Sequence, residues 1–239
     1  MFNGFQKIIV MAAIICTASY QASHADPNVY DYAVPTTIHT IVAKAQTISA
    51  NFDLLKKISS DYANGYRIKE ATYTFTAPDR LEYKTSVGLF TVTYTTTDTE
   101  RIVTSNVFHL GSKMDISKDI TKRNTIAALG LLPQNYLDTM RIQYLGQDNI
   151  NGVATQDFIM RYLTDQPNDN RRFEFWVDPI KHYVVQKRVW GGDALQHETI
   201  EYKDPKQIMP GFWMPTRAEA YTPDMELAGV VGYDSISAS

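Results

Sequence analysis

The chain has 239 residues, a formal charge of −3, basic residues scattered along its length, one cysteine, 15 tyrosines and 10 phenylalanines. No run or stripe of Lys and Arg points to nucleic acid, and this length suits one domain that buries its core without disulfide or metal staples. Abundant Tyr, Phe and Thr favour strands, so an all-β or β-rich fold is expected.

The N-terminus indicates the compartment. Lys7 precedes the apolar run IIVMAAIICTASY, shorter than the roughly 20 apolar residues that a spanning helix needs. Ser23-His24-Ala25 then places small residues at the third and first positions before a cut. Residues 1–25 therefore read as a cleaved signal peptide for export across the inner membrane, with a periplasmic mature form. Ile15 directly before Cys16 does not fit a lipidation signal. Cleavage after Ala25 removes the sole cysteine, and with it any disulfide, thiolate metal site or cysteine nucleophile. Residues 26–239 are expected to form a single domain.

After the lead-in DPNVYDYAV, Ile38, Ile41, Val42, Ala45 and Ile48 recur at helical spacing behind Thr36 and Thr37, which predicts an amphipathic helix over 36–49. Period two then takes over in NFDLLKKI, YRIKEATYTF, RLEYKTS, GLFTVTYTT, ERIVTS and NVFHL, separated by turn-prone YANGY, APD and TTDTE. In ATYTFTAPDRLEYKT (71–85), Thr72, Thr74 and Thr76 share one face and Tyr73 and Phe75 the other, with a break at Pro78. Connections of hairpin length imply antiparallel pairing. Between Lys118 and Met140, Ile126, Leu129, Leu132, Tyr136 and Leu137 are interrupted at Gly130 and Pro133, which predicts two short helices around a kink. Strands resume as RIQYLGQ, TQDFIMRYL, RFEFWVD, HYVVQKRVW, HETIEYKD and MPTRAEAY. Several carry apolar residues on both faces, Trp176 opposing Phe173 and Phe175 for example, as in a sheet that is covered twice or strongly curved. About eleven strands and three short helices suit a curved half-barrel wrapped around helices; a flat sandwich would use the same strands.

Catalytic signatures are absent: no GxSxG elbow, no HExxH, no phosphate- or dinucleotide-binding glycine pattern, no EF-hand loop. His39, His109, His182 and His197 each lack a second ligand at metal-binding spacing. Glu198 and Glu201, three apart on a strand, point to opposite faces, and Glu174 beside Arg172 reads as a cross-strand charge pattern. Asp165 to Asn170 reads as a polar hairpin turn. No enzyme activity, cofactor or metal is expected. The aromatic inner face is either a filled core or the wall of a groove that an acyl chain completes, at about 0.8 kcal/mol per buried CH₂.

Taken in order, the N-terminal helical segment, the phrase TFTAPDRLEY (74–83), the helical insertion, GQDNINGV (146–153) and FWVDP (175–179) resemble the LolA-like lipoprotein-sorting proteins, from about Pro35 to Ser235. The resemblance implies an unclosed antiparallel β half-barrel with a helical lid over an apolar cavity. It implies a monomeric carrier of lipoprotein or lipid acyl chains, moving cargo from an inner-membrane transporter toward an outer-membrane acceptor, or an RseB-like sensor that reads lipid or a lipidated protein. On that reading the helices at 36–49 and 122–140 form the lid. The family carries an arginine directly before the proline equivalent to Pro78; here Ala77 stands there, with Arg80 three residues on. Alternation then assigns Tyr73, Phe75, Phe90, Val92, Tyr94, Phe158, Met160, Phe173 and Phe175 to the cavity side, and Ile41, Val42, Ile126 and Leu129 to the lid.

Overall fold

The computed structural model describes residues 26–106, 111–118, 123, 125–163, 171–191, 193 and 195–239. The signal-peptide reading of 1–25, His109 with most of NVFHL, and the turn at Asp165 to Asn170 lie outside the described residues.

Thirteen strands form one antiparallel sheet among the described residues. Six belong to the first half of the chain: β1 (Thr40–Ala50), β2 (Glu70–Thr76), β3 (Arg80–Val87), β4 (Phe90–Thr96), β5 (Glu100–Ser105) and β6 (Gly111–Asp115). Seven follow: β7 (Met140–Ile150), β8 (Val153–Tyr162), β9 (Arg172–Val177), β10 (Val184–Trp190), β11 (Gln196–Met209), β12 (Phe212–Tyr221) and β13 (Leu227–Ala238). The spatial order β6-β5-β4-β3-β2-β1-β13-β12-β11-β10-β9-β8-β7 makes each half a meander of hairpins, joined where β1 pairs with β13. Its two edges, β6 and β7, are consecutive in the chain. The mainly β, unclosed architecture is the one expected, with two strands more than the sequence suggested.

The N-terminal helix sits elsewhere than expected. The segment read as a helix over 36–49 is mostly strand β1, and Ile41 and Val42 therefore belong to the sheet rather than to a lid. Both periods fit its apolar residues. The β-branched Thr40, Ile41, Val42, Thr47 and Ile48 lose rotamer freedom in a helix and pack well on a pleated surface, which favours the strand. Conversely NFDLLKKI, read as a strand, forms helix α1 (Phe52–Ile58), followed by α2 (Ser60–Gly65). Asn51 Oδ1 accepts from the backbone N–H groups of Asp53 and Leu54, and Ser59 Oγ accepts from that of Tyr62, so each helix begins on a side-chain cap. Leu55 and Ile58, three apart, are buried with Ala63 against Ala220 and Ala228 of the sheet.

Between β6 and β7 the chain turns inward. A 3-10 turn (Ile126–Leu129) and α3 (Gln134–Leu137) flank the kink expected at Gly130 and Pro133. Ile126, Leu129, Leu131, Leu132 and Leu137 are almost wholly buried, so this connection plugs the concave side of the sheet. Backbone bonds pin it: Val184 N–H donates to Gly130 O and Val34 N–H to Leu132 O, both at 2.9 Å, and Tyr202 Oη donates to Ala127 O at 3.1 Å. Gly130 adopts φ +78°, and a Cβ there would stand 2.8 Å from the Tyr202 ring, so both backbone and space require glycine.

Candidate functional site

The inner face of the sheet follows from the register. On β1–β6 one cross-strand row reads Ala43, Tyr73, Tyr83, Tyr94, Val103, Ser112, and the next reads Ile41, Phe75, Leu81, Thr96, Arg101, Met114. The tyrosine rings meet in sequence, tilted against one another, with centroids 4.9 Å apart for Tyr73–Tyr83 and 5.8 Å for Tyr83–Tyr94. On β8–β12 the corresponding face carries Phe158, Met160, Phe173, Phe175, Tyr202 and Met214, all buried in one core with the plug.

A cavity of about 1050 Å³ lies over the first of these two faces. Small side chains make room for it. Ala45 and Ala71 stand beside the tyrosine row, and the plug likewise presents the small Ala127 and Ala128 to the cavity. Tyr62, Gly65 and Tyr66 of α2 and its C-terminal end cover one side; Tyr136, Tyr162 and Phe173 close the other. The same cavity touches Ser112 and Met114 of β6 and Phe173 of β9, ten strands apart in the sheet order. In a flat sheet they would be roughly 50 Å apart, so the sheet wraps strongly around this space.

Burial pushes the Tyr73 phenol up to about 12, and burial together with the neighbouring Tyr73 and Tyr94 raises that of Tyr83. These hydroxyls are neutral at physiological pH and can both donate and accept. Deeper in the wall, Lys187 Nζ lies 3.8 Å from Glu198 Oε1, with side chains 16% and 10% exposed, and 5.7 Å from the centroid of Phe173. Burial, and then the Glu198 carboxylate, push the Tyr62 phenol up. Glu198 thus faces inward, while Glu201 on the opposite face bonds Lys203. Among the described residues no group of three or more His, Cys, Asp or Glu is placed to hold a metal ion, and no helix is long and apolar enough to cross a membrane.

The expected residues distribute unevenly. Tyr73, Tyr94 and Phe173 line the cavity. Phe75 shares the face of Tyr73 but lies in the core with Ile41. Phe158, Met160, Phe175, Ile126 and Leu129 are likewise fully packed core residues. Val92 shares the face of Tyr94, half-buried and outside the cavity, and Phe90 at the β3–β4 hairpin is 43% exposed. Val42 pairs with Thr74 on the reverse of the sheet. Of the residues the sequence reading left out, Tyr83 was recoverable from the alternation that identified Tyr73. Tyr62 and Tyr66, four apart in a segment that resembles a turn, become neighbours only once α2 is recognised.

No protein-family model matches the sequence, and no curated protein matches it. Solved structures do. A DUF1329 family protein from Desulfovibrio piger superposes with a TM-score of 0.55 at 12% identity, covering 90% of this chain and 94% of its own. A LolA superfamily protein from Nitrosomonas europaea gives 0.55 at 11% identity, over 87% and 88% of the two chains. An outer membrane lipoprotein-sorting protein domain from Vibrio parahaemolyticus gives 0.52 at 8% identity, over 88% and 89%. The fold is LolA-like, as the sequence phrases implied.

Proposed function

We propose that this chain is a periplasmic carrier that holds the acyl chains of a lipoprotein or lipid in its cavity during transfer toward the outer membrane. The observation that carries the reading is the hollow, tyrosine-lined half of a sheet whose other half is mostly buried in one core under the same plug. A hydrocarbon chain entering it would gain about 0.8 kcal/mol per buried CH₂. The volume of about 1050 Å³ lies just above the roughly 300–1,000 Å³ range of small-molecule sites.

The short α1–α2 pair is the natural cover. It is held by the small cluster of Leu55, Ile58 and Ala63, and by Tyr66, which rests on Gly229 of β13 where any Cβ would collide with its ring. Such limited packing is the kind that a ligand can displace. The likeness to a lipoprotein-sorting domain and to the LolA superfamily supports a carrier over an enzyme, and the signal-peptide reading of the N-terminus supports export. No covalent step is proposed.

The test is purification of the chain from an envelope fraction under mild conditions, followed by mass spectrometry of organic extracts, together with titration by N-phenyl-1-naphthylamine. Co-purifying acyl lipid in near-stoichiometric amount and saturable fluorophore binding are expected. A lipid-free protein that binds no fluorophore would overturn the reading.

A further inference from the structure

The charges on the cavity wall do not follow those of the chain. The protein as a whole is anionic, yet the wall carries Arg101, Arg123, Arg171 and Lys187 against a single carboxylate among its described residues, Asp61. Glu198 and Asp98 stand at its margin. Lys187 meets Glu198 at 3.8 Å, beyond hydrogen-bond length, and Arg123 Nη1 meets Asp98 Oδ1 at 3.5 Å, while the buried Arg123 Nε has no hydrogen-bond partner. Arg101 and Arg171 have contacts of their own and add positive charge to the wall. A cavity for bare hydrocarbon has no use for cations, which are costly to hold against apolar walls unless an anion faces them.

Resting on the carrier reading, we infer that the cavity selects an amphiphile with an anionic head, a phosphate or a carboxylate, placed against Arg123 and Lys187 with its chain along the tyrosine row. The inward Lys187 is the informative residue. It sits on β10, opposite Phe175 of β9 and Ile200 of β11, where alternation calls for an apolar side chain. Its ammonium over Phe173 projects between the filled core and the cavity. Arginine adds a planar fork suited to either oxyanion.

The experiment is displacement of the neutral fluorophore N-phenyl-1-naphthylamine by three probes of equal chain length: hexadecyl phosphate, palmitate and hexadecanol. It is run at low ionic strength and at about 0.5 M NaCl, below the aggregation limit of each probe. At low salt at least one anion is expected to compete about tenfold more strongly than hexadecanol, and the advantage to shrink at high salt. Arg123→Gln and Lys187→Gln are each expected to reduce that advantage about threefold or more, with melting temperatures recorded to confirm folding. The order of the two anions distinguishes a phosphate head from a carboxylate head. Equal competition by all three probes in the unmodified protein, at both salt levels, would overturn this inference and leave the carrier standing. Failure of every probe, with no fluorophore bound, would remove both.

Discussion

The halves of the sheet that flank the β1–β13 junction are built by one pattern and end in opposite states. Each alternates apolar and polar residues through antiparallel hairpins, and each turns its aromatic face toward the same plug. On β8–β12 that face carries phenylalanine, methionine and Tyr202, buried in one core with Ile126, Leu129 and Leu131, and of these only Phe173 reaches the large cavity. On β1–β4 it alternates Tyr73, Tyr83 and Tyr94 with Ala45, Ala71 and Thr96, too short to cross, and the gap remains. An aromatic inner face therefore does not by itself distinguish core from container. The size of the residues between the aromatics does.

Breaking the filled half is expected to have the largest effect. Phe175, completely buried, should cost about 3–5 kcal/mol on substitution by alanine, whereas Tyr83→Ala in the hollow half should cost at most about 1–2 kcal/mol. Denaturant titration of both variants checks the contrast, and equal losses would mean that the two halves are packed alike. Next comes the plug. Gly130→Ala meets both a positive φ and the Tyr202 ring, so a loss of about 1–3 kcal/mol is expected, read in the same titration.

Filling the hollow half sharpens the comparison from the other side. Ala71→Phe should lower fluorophore affinity about tenfold while changing stability by no more than about 1 kcal/mol in either direction. A variant that keeps its affinity would place binding outside the cavity.

The smallest expected effects lie on the reverse of the filled half, where charged groups replace the apolar ones. Burial there opposes ionisation of Glu219, but hydrogen bonds from Lys203, Tyr221 and Arg217 outweigh it and hold the carboxyl at about 2. A depressed acid binds its proton more tightly when unfolded, so this contribution is complete above the ordinary value of 4.5 and is lost as pH falls toward 2. Asp157 has the opposite sign. Burial, then the carboxylates of Glu174 and Asp148, raise it to about 7 against the opposing charge of Arg188. It takes up a proton on folding between its ordinary value of 3.8 and 7, and its stabilising effect is lost as pH rises through that upper limit. Melting curves should show Asp157→Asn gaining on the unmodified protein at pH above 7 and not near pH 4, whereas Glu219→Gln should lose stability at neutral pH and match it in acid.

Much of the sheet was legible because alternation is a local signal. Ten hairpin-linked segments read as strands are strands, and Gly130 and Pro133 marked the kink. Two strands escaped for identifiable reasons: β6, GSKMD, has one large apolar residue, and β13 carries Gly229 and Gly232 within its run. Helix and strand were exchanged around Asn51 because Ile38 to Ile48 satisfies both periods, and only the cap at Asn51 dates the helix correctly. The site was less legible than the sheet. Parity placed Tyr73, Tyr94, Phe75 and Phe158 on the inner face alike. Which of them meet the plug depends on how far the sheet curls and where the plug enters, and neither is written in any one strand.

Every strand neighbour in this sheet is also a neighbour along the chain, except at β1 and β13. Two independent meanders can therefore assemble from short-range loops, and one ladder spanning nearly the whole sequence must then weld them. Loop-closure entropy makes such a weld slow to form. Until it closes, the tyrosine row has no opposing wall, so a chain arrested before that moment would leave its aromatic inner face open to solvent.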